Sequence, residues 1–178
     1  MLKKMLLGSL VGLGLLVTLA VPGIAEGRAV TAESAIRHEL VTLPYYNVFD
    51  WLDGEIRSDG SVVLRGEVTS PSTREDAEMR VRKIEGVTQV VNEIKVLPPG
   101  SADNDLRVAI YRAVFRYSSP LFRYSTQSIP PIHIIVDNGR ATLKGVVASA
   151  SESQLAYTAA RQVFGLTDVR NELRIEND

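Results

Sequence analysis

The only imidazole groups that could act as bases or metal ligands in this chain belong to His38 and His133, and there is no cysteine. His38 falls opposite the apolar stripe of a predicted helix, and His133 alternates with isoleucines along a predicted strand. Neither histidine has a second ligand at metal-binding spacing, whereas a zinc site needs three or four ligands. We therefore predict structural roles for both, with no metal and no cofactor.

Motifs for nucleophilic or nucleotide chemistry are also missing from the sequence. It has no Gly-x-Ser-x-Gly elbow, no Walker loop and no dinucleotide fingerprint. The two Ser-x-x-Glu/Gln stretches, Ser72 to Glu75 and Ser151 to Gln154, fit the capping box that begins a helix. The sequence predicts a protein that is not an enzyme and has no small-molecule substrate.

The chemistry that remains is binding, and it concentrates in residues 115–125, FRYSSPLFRYS. We wind residues 106 to 117 as a helix at about 100° per residue. One side then carries Leu106, Ile110, Val114 and Tyr117, and the other carries Val108, Tyr111 and Phe115. A helix that packs only on its own sheet needs one apolar stripe, so the second stripe predicts a further contact.

Two explanations of the second stripe stay open. The following loop could fold back so that Leu121, Phe122 and Tyr124 cover it, or the first half of the chain could pack there. Alternatively, aromatic and arginine side chains could dock on a bilayer, as they do in interfacial helices. The candidate membrane-binding or partner-binding residues are Tyr111, Arg112, Phe115, Arg116, Phe122 and Arg123.

Residues 1–25 have the pattern of a secretory signal peptide, with Lys3 and Lys4 before an apolar run that ends at Pro22. An uncleaved N-terminal membrane anchor is the alternative, because the run from Met5 to Val21 is about the minimum length of a span. We expect a periplasmic protein. Loss of both lysines leaves 18 of the 20 basic side chains against 21 acidic ones, which is unlike a nucleic-acid binder.

The sequence contains an internal repeat, because residues 60–96 match residues 139–175 at a constant offset without a gap. Asp59-Gly60 and Asn138-Gly139 predict a β-hairpin in each copy. An apolar face at i, i+4 and i+7 predicts a helix after each hairpin, and alternating residues predict a third strand. A further helix precedes each hairpin. We predict a first domain over 31–98, a linker over 99–102 and a second domain over 103–176.

With these motifs in the same order twice, the chain resembles the BON domain family. The residues that carry the likeness are the hairpins DGSVVLRGEV and NGRATLKGVV and the endings GVTQVVNEIKV and GLTDVRNELRI. The resemblance implies an α+β fold of two tandem αββαβ domains, each a small three-stranded sheet covered by two helices. It also implies attachment to phospholipid or envelope surfaces, stress-related or chaperone-like roles in some members, and no catalytic residues.

Our first hypothesis is an envelope protein whose second copy docks weakly on anionic phospholipid or on envelope proteins. Residues 101–178 carry 9 basic and 8 acidic side chains, whereas residues 26–100 carry 9 and 13, so the second copy is the better suited to an anionic surface. The alternative is a soluble periplasmic chaperone-like module that uses exposed strand edges or residues 45–49. A plainer explanation of residues 45–49 is chain that enters the first strand through the core. The sequence predicts no oligomeric state.

Overall fold

The computed structural model describes the backbone of residues 22–176 and the side chains of residues 32–176. The elements follow in the order α1 (Pro22–Val41), β1 (Trp51–Ile56), β2 (Ser61–Val68), α2 (Pro71–Val81), β3 (Gln89–Asn92), β4 (Lys95–Val96), α3 (Ser101–Val114), α4 (Phe122–Ser125), β5 (Ile132–Asp137), β6 (Arg140–Val147), α5 (Ala150–Arg161) and β7 (Asp168–Ile175). The predicted signal peptide lies outside the described residues, except for its last four, which begin α1. No helix in residues 22–176 is long and apolar enough to cross a membrane.

Each half of the chain forms a small sheet around its hairpin, which confirms the predicted α+β fold. In the first sheet, β2 pairs antiparallel with β1 and parallel with both β3 and β4. In the second sheet, β6 pairs antiparallel with β5 and parallel with β7. The third strand of the first sheet is interrupted between Asn92 and Lys95, whereas β7 runs unbroken for 8 residues.

The hairpin of the second sheet closes through Asn138 and Gly139, which have φ angles of 51° and 74°. Two consecutive residues with positive φ are what a type I′ hairpin turn requires, and Asn and Gly reach them at little cost. In the first hairpin, Gly60 has a φ of 80°, while Asp59 keeps a negative φ. Both predicted hairpins are confirmed, with different turns.

Gly66 and Gly145 each allow the two strands of their own hairpin to approach closely. Their φ angles are 129° and 121°, and a Cβ added at either would lie 1.9 Å from a backbone oxygen, that of Trp51 or of Pro131. We expected a helix to approach these glycines or a bulge to occur there. The close neighbour is instead the chain at the start of the adjacent strand, so these positions exclude any side chain.

The helices after the hairpins begin earlier than the capping-box pattern predicts. Their N-caps are Ser70 and Ser149, and the cap hydroxyls accept hydrogen bonds from Ser72 N and Glu152 N. Proline fits the first helical position because its missing N–H is not needed there, so α2 starts at Pro71. In α5 the Glu152 carboxylate also accepts from Ala148 N at 3.0 Å, so Ser149 and Glu152 form a variant of the capping box two residues earlier than expected.

Two separate hydrophobic cores lie between the sheets and their helices. The α1 stripe of Ile36, Leu40 and Leu43 is 1–4% exposed, as the spacing predicts. Residues buried in the second core include Ile110, Val114, Ile132, Ile134, Val136, Leu143, Ala156 and Ala160. Each copy therefore buries its own apolar face, which the chain needs because it has no cysteine to cross-link it.

Asn92 and Asn171 connect the third strand of each copy to the helix that follows the hairpin. The Asn92 side chain donates to Arg74 O at 3.1 Å, and the Asn171 side chain donates to Ser153 Oγ at 2.8 Å. We expected both amides to bond to a loop backbone, and this holds for Asn92 alone, whose Oδ1 also accepts from Ile94 N, between β3 and β4, at 3.1 Å. The bonds hold the strand against the helix in both copies.

Candidate docking surface

The residues that lead into β1 lie along the open edge of β5 in the other half of the chain. Ile134 N donates to Val48 O at 2.8 Å, and the Nδ1 atom of His133 lies 2.6 Å from Asp50 O. Because β5 is otherwise an edge strand, these contacts satisfy backbone groups that would face solvent. We call residues 46–50 the edge-covering segment.

Aromatic side chains seal the contact around His133, which is only 5% exposed. The imidazole centroid lies 5.5 Å from that of Tyr46 and 5.2 Å from that of Trp51. Burial lowers the pKa of His133 from its ordinary value, because the charged form loses its hydration. A neutral, buried imidazole bonded to a carbonyl agrees with the structural role that we predicted.

Asp50 is fully buried and fixes the shape of the edge-covering segment. Its carboxylate accepts hydrogen bonds from Thr69 N at 2.6 Å, Thr69 Oγ1 at 2.8 Å, Asn47 N at 3.1 Å and Asn47 Nδ2 at 2.8 Å. Burial nevertheless raises the pKa of this carboxyl, and the hydrogen bonds offset only part of the effect. These four hydrogen bonds to one carboxylate hold the chain in the bend that leads into β1.

Phe49 extends the contact from the edge of β5 to α3. Its ring centroid lies 6.3 Å from that of Tyr111 in an edge-to-face arrangement, and both Val48 and Phe49 pack on the second core. Residues 45–49 therefore pack within the protein, and of Tyr45 and Tyr46 only Tyr45, at 66% exposed, faces solvent. This contact is the packing against the first half of the chain that the first of the two open explanations includes.

The structure directs Phe115 inward, together with most of Tyr111. The Phe115 side chain is 4% exposed, and its ring centroid lies 4.9 Å from that of Tyr111. Leu121 and Tyr124 fold back over the same core and are 0% and 8% exposed. Folding back and packing on the first copy together account for the second stripe, so Phe115 has no free surface to offer.

The exposed aromatic groups of the run are Tyr117 and Phe122. We expected Tyr117 on the buried stripe, and this is wrong, because α3 ends at Val114 and Tyr117 is 87% exposed. Phe122 begins the short helix α4 and is 36% exposed, and the two ring centroids lie 5.2 Å apart. A helix end one turn earlier than expected is what moves Tyr117 from the core to the surface.

Arginines stand on the same stretch of chain as this aromatic pair. Arg112, in the last turn of α3, and Arg116, just after the helix ends, are exposed, while Arg123 forms an ion pair with Glu152. Between Asp105 and Asp137 the sequence has no acidic residue. We call Arg112, Arg116, Tyr117 and Phe122 the aromatic–arginine patch. Binding by any of the predicted residues stays a prediction.

A metal or catalytic centre is not evident in the described part of the chain. No group of three or more histidine, aspartate or glutamate side chains within residues 32–176 could hold a metal ion. His38 is exposed on α1, and His133 is enclosed by Tyr46 and Trp51. The two histidines therefore lie in different environments on different elements.

Comparison with known proteins identifies one family. The model of the BON domain matches residues 53–98 and 121–177, which together are more than half of the chain. No curated protein matches the sequence.

Solved structures give a distant likeness only. One is described as CdsD, a structural protein of the Type III secretion system of Chlamydia trachomatis; at 13% identity it covers 81% of this chain and 92% of that chain, with a TM-score of 0.29. Another, the CdsD C-terminal domain, gives 12% identity, 82% and 96% coverage, and a TM-score of 0.30. Both scores are too low to support an argument about this protein.

Proposed function

This chain belongs to the BON domain family, and from that premise we propose that it is a non-enzymatic envelope protein whose second module docks weakly on anionic phospholipid. The observation that carries the proposal is the exposed pair Tyr117 and Phe122, with the exposed residues Arg112 and Arg116 close to it in the sequence. We further propose a periplasmic location with the N-terminal segment acting as a signal peptide.

The chemistry of the aromatic–arginine patch suits the boundary between lipid headgroups and acyl chains. A phenyl ring gains free energy by leaving water, and a tyrosine keeps its hydroxyl at the wet side of the boundary. Arginine side chains can lay their apolar stems along the surface while the guanidinium group pairs with phosphate. The four residues therefore combine insertion with charge attraction.

Magnitudes indicate that this docking is weak and sensitive to salt. Two arginines near an anionic surface contribute about 1 kcal/mol each, and one inserted phenylalanine contributes roughly 2 kcal/mol more. Such a sum supports reversible association and not permanent anchoring. Added salt screens the arginine contribution but leaves the aromatic one.

Among residues 32–176, the patch occurs in the second module alone. In the first module, α1 ends at Val41 and β1 begins at Trp51, whereas in the second module α3 ends at Val114 and β5 begins at Ile132. The longer connection contains Tyr117 and Phe122, whereas the shorter connection of the first module, residues 42–50, contains the edge-covering segment that lies along β5 of the second module. The larger acidic excess of residues 26–100 also opposes approach of that module to an anionic surface.

Sedimentation with vesicles tests the proposal. The protein, produced from its full coding sequence, is mixed with phosphatidylcholine vesicles with and without phosphatidylglycerol, at low and high salt. We expect binding that needs the anionic lipid and weakens with salt. Tyr117→Ala combined with Phe122→Ala should reduce binding roughly tenfold, because both exposed rings are lost.

The matched control is Phe164→Ala, which removes a 99% exposed phenylalanine from the same module but outside the patch. It should leave vesicle binding unchanged. Equal binding by the double variant and the wild type would contradict the proposed surface. Suppression of client aggregation by a protein that binds no vesicles would favour the chaperone-like alternative instead.

A further inference from the structure

The second sheet has one edge covered and one edge open. Residues 46–50 lie along β5, but β7 has only β6 as its neighbour in residues 22–176. Proteins usually blunt an open edge with a short strand, a bulge, a proline or charged side chains. β7 runs for 8 residues, DVRNELRI, with no break and no proline, and charged side chains are its protection. An edge of this length can pair with another strand whose charges complement its own.

The hydrogen-bond pattern shows which backbone groups point outward. Glu176 N donates to Val147 O, and Val147 is opposite Ile175 in the register with β6. Because alternate residues of a strand face opposite edges, even-numbered residues of β7 bond to β6. The N–H and C=O groups of Val169, Asn171 and Leu173 therefore face the open edge.

Charges alternate along the face of β7 that points away from the core. Val169 and Leu173 pack on the second core, so the residues between them point outward. Those residues are Asp168, Arg170, Glu172 and Arg174, in alternating sign. The pattern is self-complementary: read in the opposite direction, each acid meets a base.

We propose that β7 pairs antiparallel with β7 of a second copy of this chain, about a two-fold axis at Asn171. Asp168 then lies opposite Arg174 of the second copy, and Arg170 lies opposite Glu172 of the second copy. These are the pairs without backbone hydrogen bonds, in which side chains come closest. The outward N–H and C=O groups form the bonds between copies, and the two second sheets become one.

Present contacts leave the charged groups free to form these pairs. Arg170 Nε lies 3.6 Å from Asp168 Oδ2, and Lys144 Nζ lies 3.8 Å from Glu172 Oε2. The side chains of Arg170 and Glu172 are 64% and 51% exposed, so both contacts are weak. The one outward N–H with an internal partner is that of Leu173, which lies 3.3 Å from Asn171 Oδ1.

The first copy does not share this property. Its third strand is interrupted after Asn92, the counterpart of Asn171. The same symmetric pairing there would place Val91 opposite Glu93 and Gln89 opposite Lys95, which forms no ion pair. The self-complementary edge therefore distinguishes the second module from the first, independently of the aromatic–arginine patch.

Sedimentation equilibrium of the protein, produced from its full coding sequence, tests the proposal over a concentration series. We expect a reversible monomer–dimer equilibrium that weakens as salt is added. Arg170→Glu places like charges opposite each other at two symmetric positions, so the dimer dissociation constant should rise roughly tenfold or more. Glu172→Arg should do the same. The combined variant, Arg170→Glu with Glu172→Arg, restores opposite charges and should restore the dimer.

Glu93→Arg, at the counterpart of Glu172 in the first copy, is the control and should leave the dissociation constant unchanged. Circular dichroism checks that each variant is folded, and these exposed positions are not expected to affect folding. A wild-type protein that stays monomeric throughout the series, or a dimer that neither single reversal weakens, would overturn the proposal. The Tyr117→Ala and Phe122→Ala variant should still dimerise, which separates this test from that of vesicle binding.

Discussion

At the residue scale, His133 links the stability of the contact between the modules to pH. Burial between Tyr46 and Trp51 lowers its folded-state pKa below the ordinary value of 6.5. The neutral form therefore stabilises the folded state fully above pH 6.5, and that stability is lost as the pH falls through the lower folded-state pKa. Asp50, in the same contact, has a raised pKa, so its protonation in acid favours the folded state, which is opposite to the effect of His133.

We predict that unfolding free energy decreases between pH 7 and pH 5, because His133 must take up a proton that its buried position disfavours. Urea denaturation at a series of pH values measures this. A His133→Gln variant is less stable at pH 7 but should show a flatter dependence over the same range. His38→Gln is the control, since His38 is exposed on α1. An equally steep decrease in His133→Gln would assign the effect to other groups.

Gly145 gives a second test at the residue scale. Alanine there would place its Cβ 1.9 Å from Pro131 O and would have to adopt a φ of 121°. We predict that Gly145→Ala lowers the free energy of unfolding by about 3 kcal/mol or more, because backbone atoms must move.

Gly100→Ala is the matched control for this substitution. Gly100 has a φ of −127° and no atom within 4 Å of an added Cβ. Its effect should stay below about 1 kcal/mol, the range expected at a helix N-cap. Equal losses in the two variants, measured by urea denaturation, would contradict the close approach at Gly145.

Residue type indicates which positions are special better than it indicates their partners. Glycine in a strand and an amide on an apolar face are unusual, so Gly66, Gly145, Asn92 and Asn171 stand out in the sequence. The main partners are the adjacent strand for the glycines and a helix for the asparagines. A residue type reports the local backbone conformation that it tolerates, but it does not report which distant group approaches it.

At the scale of elements, the end of α3 determines which aromatic residues reach solvent. Periodicity predicted a helix through Tyr117, but Phe115 has φ and ψ angles of −99° and 26°, and the helix ends there. A helix that continued past Phe115 would place Tyr117 on the buried stripe. Because the helix ends, Phe115 is buried and Tyr117 is exposed. No strong stop signal precedes Pro120, which explains why the sequence alone placed the end too late.

The edge-covering segment is the element that joins the modules, and Phe49 is its contact with α3. We predict that Phe49→Ala lowers stability by about 2 kcal/mol, because part of a phenyl ring leaves an apolar contact. Without this contact the modules should unfold in two steps and not one. Differential scanning calorimetry distinguishes the two cases.

Tyr45→Ala is the control for this prediction, because the Tyr45 side chain is 66% exposed and lies outside the contact. Its thermal transition should match that of the wild type. A single, unshifted transition in Phe49→Ala would show that the two modules are coupled by other contacts. Two ion pairs are candidates for such coupling, Lys144–Glu67, which is the less exposed, and Lys95–Asp137, which is the weaker.

At the scale of the whole molecule, the internal repeat predicted nearly all of the architecture and none of the contact between its halves. Hairpin dipeptides, helix faces and alternating strands are local patterns, so they could be found twice in the sequence. The bond between Val48 and Ile134 depends on two distant segments that share no periodicity. The halves also differ most in three places: residues 42–50, residues 115–131 and the continuity of the third strand. The first difference gives the contact between the modules, the second gives the aromatic–arginine patch, and the third gives the open edge of β7.

The separation of the edge-covering segment from its target affects how the protein is made. Asp50 precedes His133 by 83 residues, and a ribosome releases the chain from its N-terminus. Tyr46, Val48 and Phe49 therefore emerge well before the strand that they will cover has been synthesised. The nascent first half is more prone to aggregate than the finished molecule, and a truncated product that stops before β5 would keep that hazard permanently.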